Sequence, residues 1–256
     1  MIPTVALITD FGTTESYVAE LHAAMLARVP ALRILDVTHQ VAPFDLVHAS
    51  LVLERVVATL AHPAVVVVVV DPGVGTARRG VVVARENGVL LVGPDNGVLA
   101  PIDGEAICAW EISSAFRQRN HTATTFDGRD LFGPLGAMLA AGLHPTLVGP
   151  TTDLSVPSVV ATTAEWREEG ELAYASGRVV MLDRYGNAVT NIRARTGQLT
   201  VLEPLTFRGP CVRAYGAVLP GESLALVGSS GRLELAVREA SSGLSVGTKV
   251  TVRCDR

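Results

Sequence analysis

The run "VVVVVVDPGVGTARRG", Val65 to Gly80, sets the frame for reading this chain. Six consecutive valines are apolar on both faces of any strand they form. Such a strand belongs in the middle of a parallel sheet with helices on each side. It ends abruptly in Asp71, a proline, two glycines, Arg78 and Arg79. Three readings are open: a phosphate cradle, a tight turn holding an acid and a base for chemistry, or a turn and nothing more. A P-loop needs Gly-x4-Gly-Lys-Ser/Thr running into a helix, and a dinucleotide turn needs Gly-x-Gly-x-x-Gly in the same place. Here Gly73-Val74-Gly75 leads instead to "GVVVA", another strand, so no helix N-terminus is offered to an anion. An aspartate also ties down turns with no chemical role. The chemical and the purely structural readings therefore both stand at this point.

The flanking sequence alternates strand and helix signals. "TVALIT" (Thr4 to Thr9) reads as a first strand ending in Asp10-Phe11-Gly12. A helix follows in "ESYVAELHAAMLARV", with Val18, Leu21, Met25 and Leu26 near helical spacing, Thr13 or Thr14 as N-cap and Pro30 beyond its end. "LRILDVT" is a second strand, and "LVHASLVLERVVATL" a second helix opened by Asp45. After the valines, two strands join at Asn87-Gly88, a favoured hairpin turn, and a second Asn-Gly, Asn96-Gly97, lies past the strand end. A further helix is predicted from Asp130 to Ala141, irregular at its start because of Gly133-Pro134. From Leu172 onward only short strand-like runs remain: "GRVVMLD", "AVTNI", "LTVL", "SLALVG", "LELAV" and "TKVTVR". The expected fold is an α/β N-terminal domain (1–152) with a central, mostly parallel sheet flanked by helices. A linker (153–170) and a smaller all-β, barrel-like C-terminal domain (171–256) complete it.

Composition narrows the function classes. Hydrophobic residues make up 48% of the 256, yet no apolar run approaches the ~20 needed to span a bilayer. The opening "MIPTVALITDFG" lacks a basic segment, so no signal peptide is expected. Three widely spaced cysteines, Cys108, Cys211 and Cys254, suit neither a disulfide framework nor a zinc site and fit a reducing cytosol. A net charge of -4 without a long basic run gives no electrostatic case for nucleic acid. His22 and His48 lie in helical patterns, His62 and His144 precede prolines, and His39 follows a strand. No pair has metal-ligand spacing, so no metal is expected. The absence of a Gly-x-Ser-x-Gly elbow disfavours an α/β hydrolase.

Ligands of open α/β sheets bind beyond the carboxyl ends of the strands. Polar clusters sit there: Thr9-Asp10-Phe11-Gly12, Asp71 to Arg79, Pro94-Asp95-Asn96-Gly97, and Thr125-Phe126-Asp127-Gly128-Arg129-Asp130 before the last helix. Taken in order with "DRYGNAVTNI" of the second domain, they resemble the S-adenosylmethionine hydroxide adenosyltransferase family, whose relatives include fluorinating and chlorinating enzymes. The resemblance covers nearly the whole chain.

The resemblance implies displacement at ribose C5′ of S-adenosylmethionine, with water or hydroxide giving adenosine and methionine, or a halide in the halogenases. It places Asp10 on the ribose hydroxyls, where a carboxylate accepts two hydrogen bonds, and Phe44 with Phe126 and Gly128 around the ribose and nucleophile pocket. Asp183, Tyr185, Asn187 and Ser229 match barrel positions that bind methionine and adenine. It implies a homotrimer with active sites at subunit interfaces, and no cofactor besides the substrate. The hydrolytic branch carries an Asp and an Arg seven residues apart, matched by Asp71 and Arg78; halogenases have tyrosine at the first. A carboxylate there repels a halide and accepts a proton from water, while the arginine anchors the acid. Glycine at 128 offers no side-chain donor to fluoride, but the chlorinating branch shares it. One departure stands out: the branch has "TFHGRD" where this chain has "TFDGRD", with Asp127. If Asp127 faces Asp71, the two carboxylates are expected to share one proton, and His121 is a further candidate for the missing imidazole. The competing readings are a chlorinase-like enzyme and a non-catalytic adenosyl-ligand binding protein.

Overall fold

The computed structural model describes residues 2–60, 64–100, 108–120, 125–154 and 163–255. The chain divides into two compact units, Met1–Val160 and Ala161–Arg256. The first contains β1 (Thr4–Thr9), α1 (Tyr17–Arg28), β2 (Arg33–Thr38), α2 (Leu46–Val57), β3 (Val65–Val69), β4 (Gly80–Ala84), β5 (Leu90–Pro94), β6 (Ala109–Glu111), α3 (Ser114–Asn120), α4 (Gly133–Ala140) and β7 (Thr151–Thr152). Its sheet runs β2-β1-β3-β5-β4-β6-β7. The pairings β1 with β2, β1 with β3 and β3 with β5 are parallel, and those from β5 to β7 antiparallel.

The valine strand is central and buried along its whole length. Val65, Val67 and Val69 pack with Leu21 and Met25 of α1, Phe116 of α3 and Leu135 of α4. Val66 and Val68 pack with Ala49, Leu53 and Val57 of α2 on the other face. Two apolar layers on one strand explain why the sequence shows no alternation there; each buried valine contributes roughly 1.5–3 kcal/mol. The register sets Thr9 beside Val69, so Asp10 and Asp71 leave neighbouring parallel strands at the same edge of the sheet.

Local signals hold with two adjustments. Asp45 caps α2 by accepting the His48 N–H at 2.9 Å, and Gly88, at φ 81°, closes the β4–β5 turn. Ser16, rather than Thr13 or Thr14, precedes α1, and its hydroxyl donates to Glu20 Oε1 at 2.6 Å. The helix expected over Asp130–Ala141 is two pieces, a π turn at Gly128–Phe132 followed by α4. Pro134 has no N–H to return and its ring opposes the carbonyl four residues back, so the preceding turn widens and the Gly133 N–H reaches Gly128 O.

The second unit contains β8 (Trp166–Glu169), β9 (Leu172–Leu182), β10 (Ala188–Arg193), β11 (Gln198–Glu203), β12 (Ser223–Val227), β13 (Arg232–Val237) and β14 (Lys249–Asp255). The order is β11-β14-β9-β10-β13-β12, with β8 also on β9 and every named pairing antiparallel. The first part of β9 pairs with β14 and its last part with β10, which wraps the sheet around Ala175, Val179, Ile192, Leu235 and Val252. The expected α/β domain followed by an all-β, barrel-like region is borne out. Residues 166–169 were expected within a connection; "WREE" is mostly exposed and hides its strand from pattern reading. Among the described residues, no helix is long and apolar enough to cross a membrane.

Candidate active site

Asp10 stands just past β1 and accepts the backbone N–H of Phe44 on Oδ2 at 2.9 Å. Phe44 adopts φ 67° and is 64% exposed. A left-handed aromatic residue costs about 1–3 kcal/mol and is kept where its surroundings fix it. Burial pushes the Asp10 carboxyl above its ordinary range; the Phe44 N–H opposes this, and the nearby Asp71 charge adds to it. The loop is braced from behind. Thr9 Oγ1 lies 2.8 Å from His39 Nδ1, the Phe11 N–H reaches Thr9 Oγ1, and the Gly12 N–H donates to His39 O. His39 Nε2 and His22 Nε2 each lie 2.9 Å from Asp36 Oδ1. Among the described residues, His22, Asp36 and His39 form a grouping whose donor atoms could surround a metal ion, which their sequence spacing did not suggest. Here those same atoms hydrogen-bond to one another.

Beyond β3, Asp71 and Arg78 meet as a fork. Arg78 Nε lies 2.9 Å from both Asp71 oxygens and Arg78 Nη2 donates to Oδ2, while the Gly73 N–H caps Oδ1 at 3.1 Å. Gly75, at φ 78°, and the Thr76 hydroxyl on Gly73 O at 2.7 Å bend the intervening chain. Arg78 Nη2 also donates to Asp127 Oδ2 at 2.5 Å, and the guanidinium lies over the Phe132 ring at 5.1 Å. The side chains of Arg78, Asp71 and Asp127 are 10%, 5% and 6% exposed. Burial works against the Arg78 charge, but the bonds and charge of Asp71, then of Asp127, outweigh it and hold the group above its ordinary value. The Asp71 and Asp127 carboxylates thus meet at one guanidinium nitrogen, Arg78 Nη2, which donates to both. Arg117 of α3 adds Nη1 at 3.4 Å from Asp127 Oδ2.

The remaining clusters separate by role. Arg79 turns away from the site to Asp95 Oδ2 at 2.5 Å, Thr152 Oγ1 at 2.6 Å and Asp153 O at 2.7 Å, so the acid of "GPDNG" serves a clamp between strand ends. Phe126 packs edge-on against Phe11 and Tyr17 at 5.2 and 5.5 Å, with Arg129 over its ring at 4.9 Å. Gly128 is buried, and a Cβ there would lie 2.9 Å from Phe11 Cζ, so the close approach itself requires glycine. His121 and His62 lie outside the described residues.

In the second unit, "DRYGN" is a tight loop. Asp183 Oδ1 accepts the N–H groups of Tyr185 and Asn187 at 2.8 and 2.9 Å, and Asn187 Nδ2 donates to Asp183 Oδ2 at 2.9 Å. Tyr185 is left 78% exposed. Asn187 Nδ2 also meets Tyr215 OH at 3.3 Å, which donates to Glu234 Oε2 at 3.1 Å. The Glu234 carboxylate packs against Gly228, beside the exposed Ser229. Sequence reasoning missed Tyr215, Glu234, Arg117 and the His39 brace. Each lies far along the chain from the residue it supports, and none carries a local motif.

An open α/β sheet with acid and arginine at adjacent strand ends, joined in one chain to a polar loop on an antiparallel barrel, defines a class of two-domain, small-ligand enzymes. The chain belongs to the S-adenosylmethionine hydroxide adenosyltransferase family: the profile of its N-terminal domain matches residues 5–149 and that of its C-terminal domain residues 177–253. It is 37% identical to an (R)-S-adenosyl-L-methionine hydrolase of Salinispora tropica, covering 92% of this chain and 90% of that protein. A Thermus thermophilus protein of the same name is 34% identical over 96% of both. A fluorinase from an Actinoplanes species is more distant, at 27% identity over 98% of this chain and 97% of that one. An uncharacterized conserved protein of Thermotoga maritima superposes with TM-score 0.83 at 29% identity, covering 97% of this chain and 99% of that one.

Proposed function

We propose that this protein hydrolyses S-adenosyl-L-methionine to adenosine and L-methionine. The observation that carries the reading is the buried Asp71–Arg78 fork at the end of β3, in a chain whose similar relatives are named (R)-S-adenosyl-L-methionine hydrolases. Water bonded to Asp71 attacks C5′ in line with the sulfonium. The new O–C5′ bond forms as the C5′–S bond breaks, the bonding pair stays on sulfur, and one water proton is released through the carboxylate to solvent. The leaving group departs as a neutral thioether and needs no acid, so placement and exclusion of bulk water carry the catalysis. Asp10 takes the ribose hydroxyls, with Phe44, Phe126 and Gly128 as walls; Asp183, Tyr185, Asn187 and Ser229 take the methionine and adenine ends.

The same reading makes the working enzyme a cytoplasmic homotrimer with sites at subunit interfaces, acting without a cofactor. Three unpaired cysteines support the compartment. The test is release of adenosine from S-adenosylmethionine, followed chromatographically with and without chloride. Formation of 5′-chloro-5′-deoxyadenosine would move the protein to the halogenases, and calorimetric binding without product would make it a binding protein.

A further inference from the structure

Asp36 and His39 stand three residues apart at the end of β2, an edge strand of the first unit. In an unbroken strand that separation points two side chains to opposite faces. The pairing of β1 with β2 is irregular here: Leu7 is set beside Asp36 and Ile8 beside Thr38, so Val37 is an extra residue. A bulge of this kind re-aims the side chains that follow it. Ile34, two residues before Asp36, packs into the layer that holds α1, whereas Val37 packs into the layer that holds α2. The bulge returns His39 to the α1 side, where His22 projects from that helix. His22 Nε2 and His39 Nε2 thereby meet one atom, Asp36 Oδ1, each at 2.9 Å. The donor atoms of the three residues lie within 4.8 Å of one another. A tetrahedral ion with bonds of about 2.0–2.1 Å spaces its ligand atoms about 3.4 Å apart, so the cluster admits one by opening about 0.5 Å.

We propose that His22, Asp36 and His39 form a binding site for one divalent transition-metal ion of the zinc class. The ligands are His22 Nε2, His39 Nε2 and the Asp36 carboxylate, with water completing the shell. Two imidazoles and one carboxylate select such an ion over Mg²⁺ and Ca²⁺, which take oxygen ligands. The outer support is already built. His39 Nδ1 lies 2.8 Å from Oγ1 of the buried Thr9, a contact that fixes the ring and offers Nε2 to the cluster. With the ion bound, each ring carries its proton on Nδ1, and the His39 Nδ1–H donates to Thr9 Oγ1. The His22 and Asp36 side chains are 28% and 43% exposed, which gives the ion a path in and leaves room for its waters. Binding exchanges two hydrogen bonds for three bonds to metal. These tie α1 to the end of β2 and, through Thr9, to the end of β1 that carries Asp10. The ion takes no part in the displacement at C5′, and the site stands independently of the hydrolase reading.

The experiment is a calorimetric titration of ZnCl₂ into the full chain, produced without a histidine tag and stripped beforehand with a chelator. One ion per chain is expected, and a hundredfold excess over Kd should raise the melting temperature by about 5 °C. His22→Ala and Asp36→Asn should each weaken binding at least about 100-fold, and Thr9→Val about 10–100-fold by releasing the His39 ring. Co²⁺ in place of zinc should give visible absorption bands in the wild type and lose them in His22→Ala. Absence of binding to wild-type protein up to about 100 µM zinc would overturn the proposal. Zinc bound equally well by His22→Ala would overturn it too, because the ion would then sit elsewhere. Equal affinity for Mg²⁺ would defeat the assignment to a transition metal. His22 lies on the partly exposed face of α1, where alanine favours the helix, so this variant keeps the test open should Asp36→Asn fail to fold.

Discussion

Phe44 and Asp10 show at the level of single residues that this fold accepts local cost at the carboxyl edge of its sheet. Phe44 holds a left-handed backbone so that its N–H can reach Asp10. Burial raises the Asp10 carboxyl, so the folded state favours its protonated form. The sign follows: its contribution to stability is present at low pH and is lost as pH rises through the folded value. Asp10→Asn should therefore raise the melting temperature at pH 7 while weakening substrate binding, measured as a rise in KM; a lower midpoint would contradict it. Asp71→Asn keeps the shape of the turn but removes the charged acceptor opposite Arg78. A fall in kcat of roughly 10²–10⁴-fold is expected, together with a lower melting temperature, because Arg78 loses the acid that offsets its burial. Arg78→Lys loses the fork that spans Asp71 and Asp127 and should behave similarly in rate assays.

Elements locate these residues, and Gly80 at the start of β4 illustrates how tightly. A Cβ there would lie 2.8 Å from Phe132 Cε1 and 2.9 Å from Ile112 Cδ1, besides its clash with Arg117. Gly80→Ala should cost about 1–3 kcal/mol in denaturant unfolding and lower activity as well; unchanged stability would show that Phe132 yields easily. The same element level marks how far sequence could be read. The valine strand, the Asp45 cap and the Asn87-Gly88 turn were legible because each is set by neighbours in the chain. The π turn was not, because widening depends on how Pro134 disrupts the turn before it. β8 was hidden because its polar side chains face water while only its backbone joins the sheet. At the site, Asp71 and Arg78 were legible as an order of residues along one turn. Arg117 was not, because its partner lies ten residues on and is reached only after α3 has packed.

Across the whole molecule, the histidine brace ties acid stability to the end of β1 that carries Asp10. Burial alone would raise Asp36, but hydrogen bonds from His39 and His22 overcome it and leave the carboxyl below its ordinary value. That contribution is present above the normal carboxylate range and is lost as pH falls through the lowered value. His39→Ala should thus lower stability at pH 7 and flatten the loss of melting temperature below about pH 4. A midpoint-against-pH curve parallel to wild type would refute this. The "DRYGN" loop of the barrel is continuous in sequence, whereas Glu234 is brought to its neighbourhood by the pairing of β10 with β13 and Tyr215 by the turn Tyr215–Ala217. A last consequence follows from Arg78 and Arg79 facing opposite ways, one to the buried acids and the other to the strand-end clamp. Loss of a single residue from the 72–77 bend would slide one arginine into the other's place. A homologue with that deletion would align with an arginine still at each position and yet have changed which arginine meets Asp71. Among relatives, the length of this bend is therefore a sharper marker of the Asp71–Arg78 fork than the presence of its arginines.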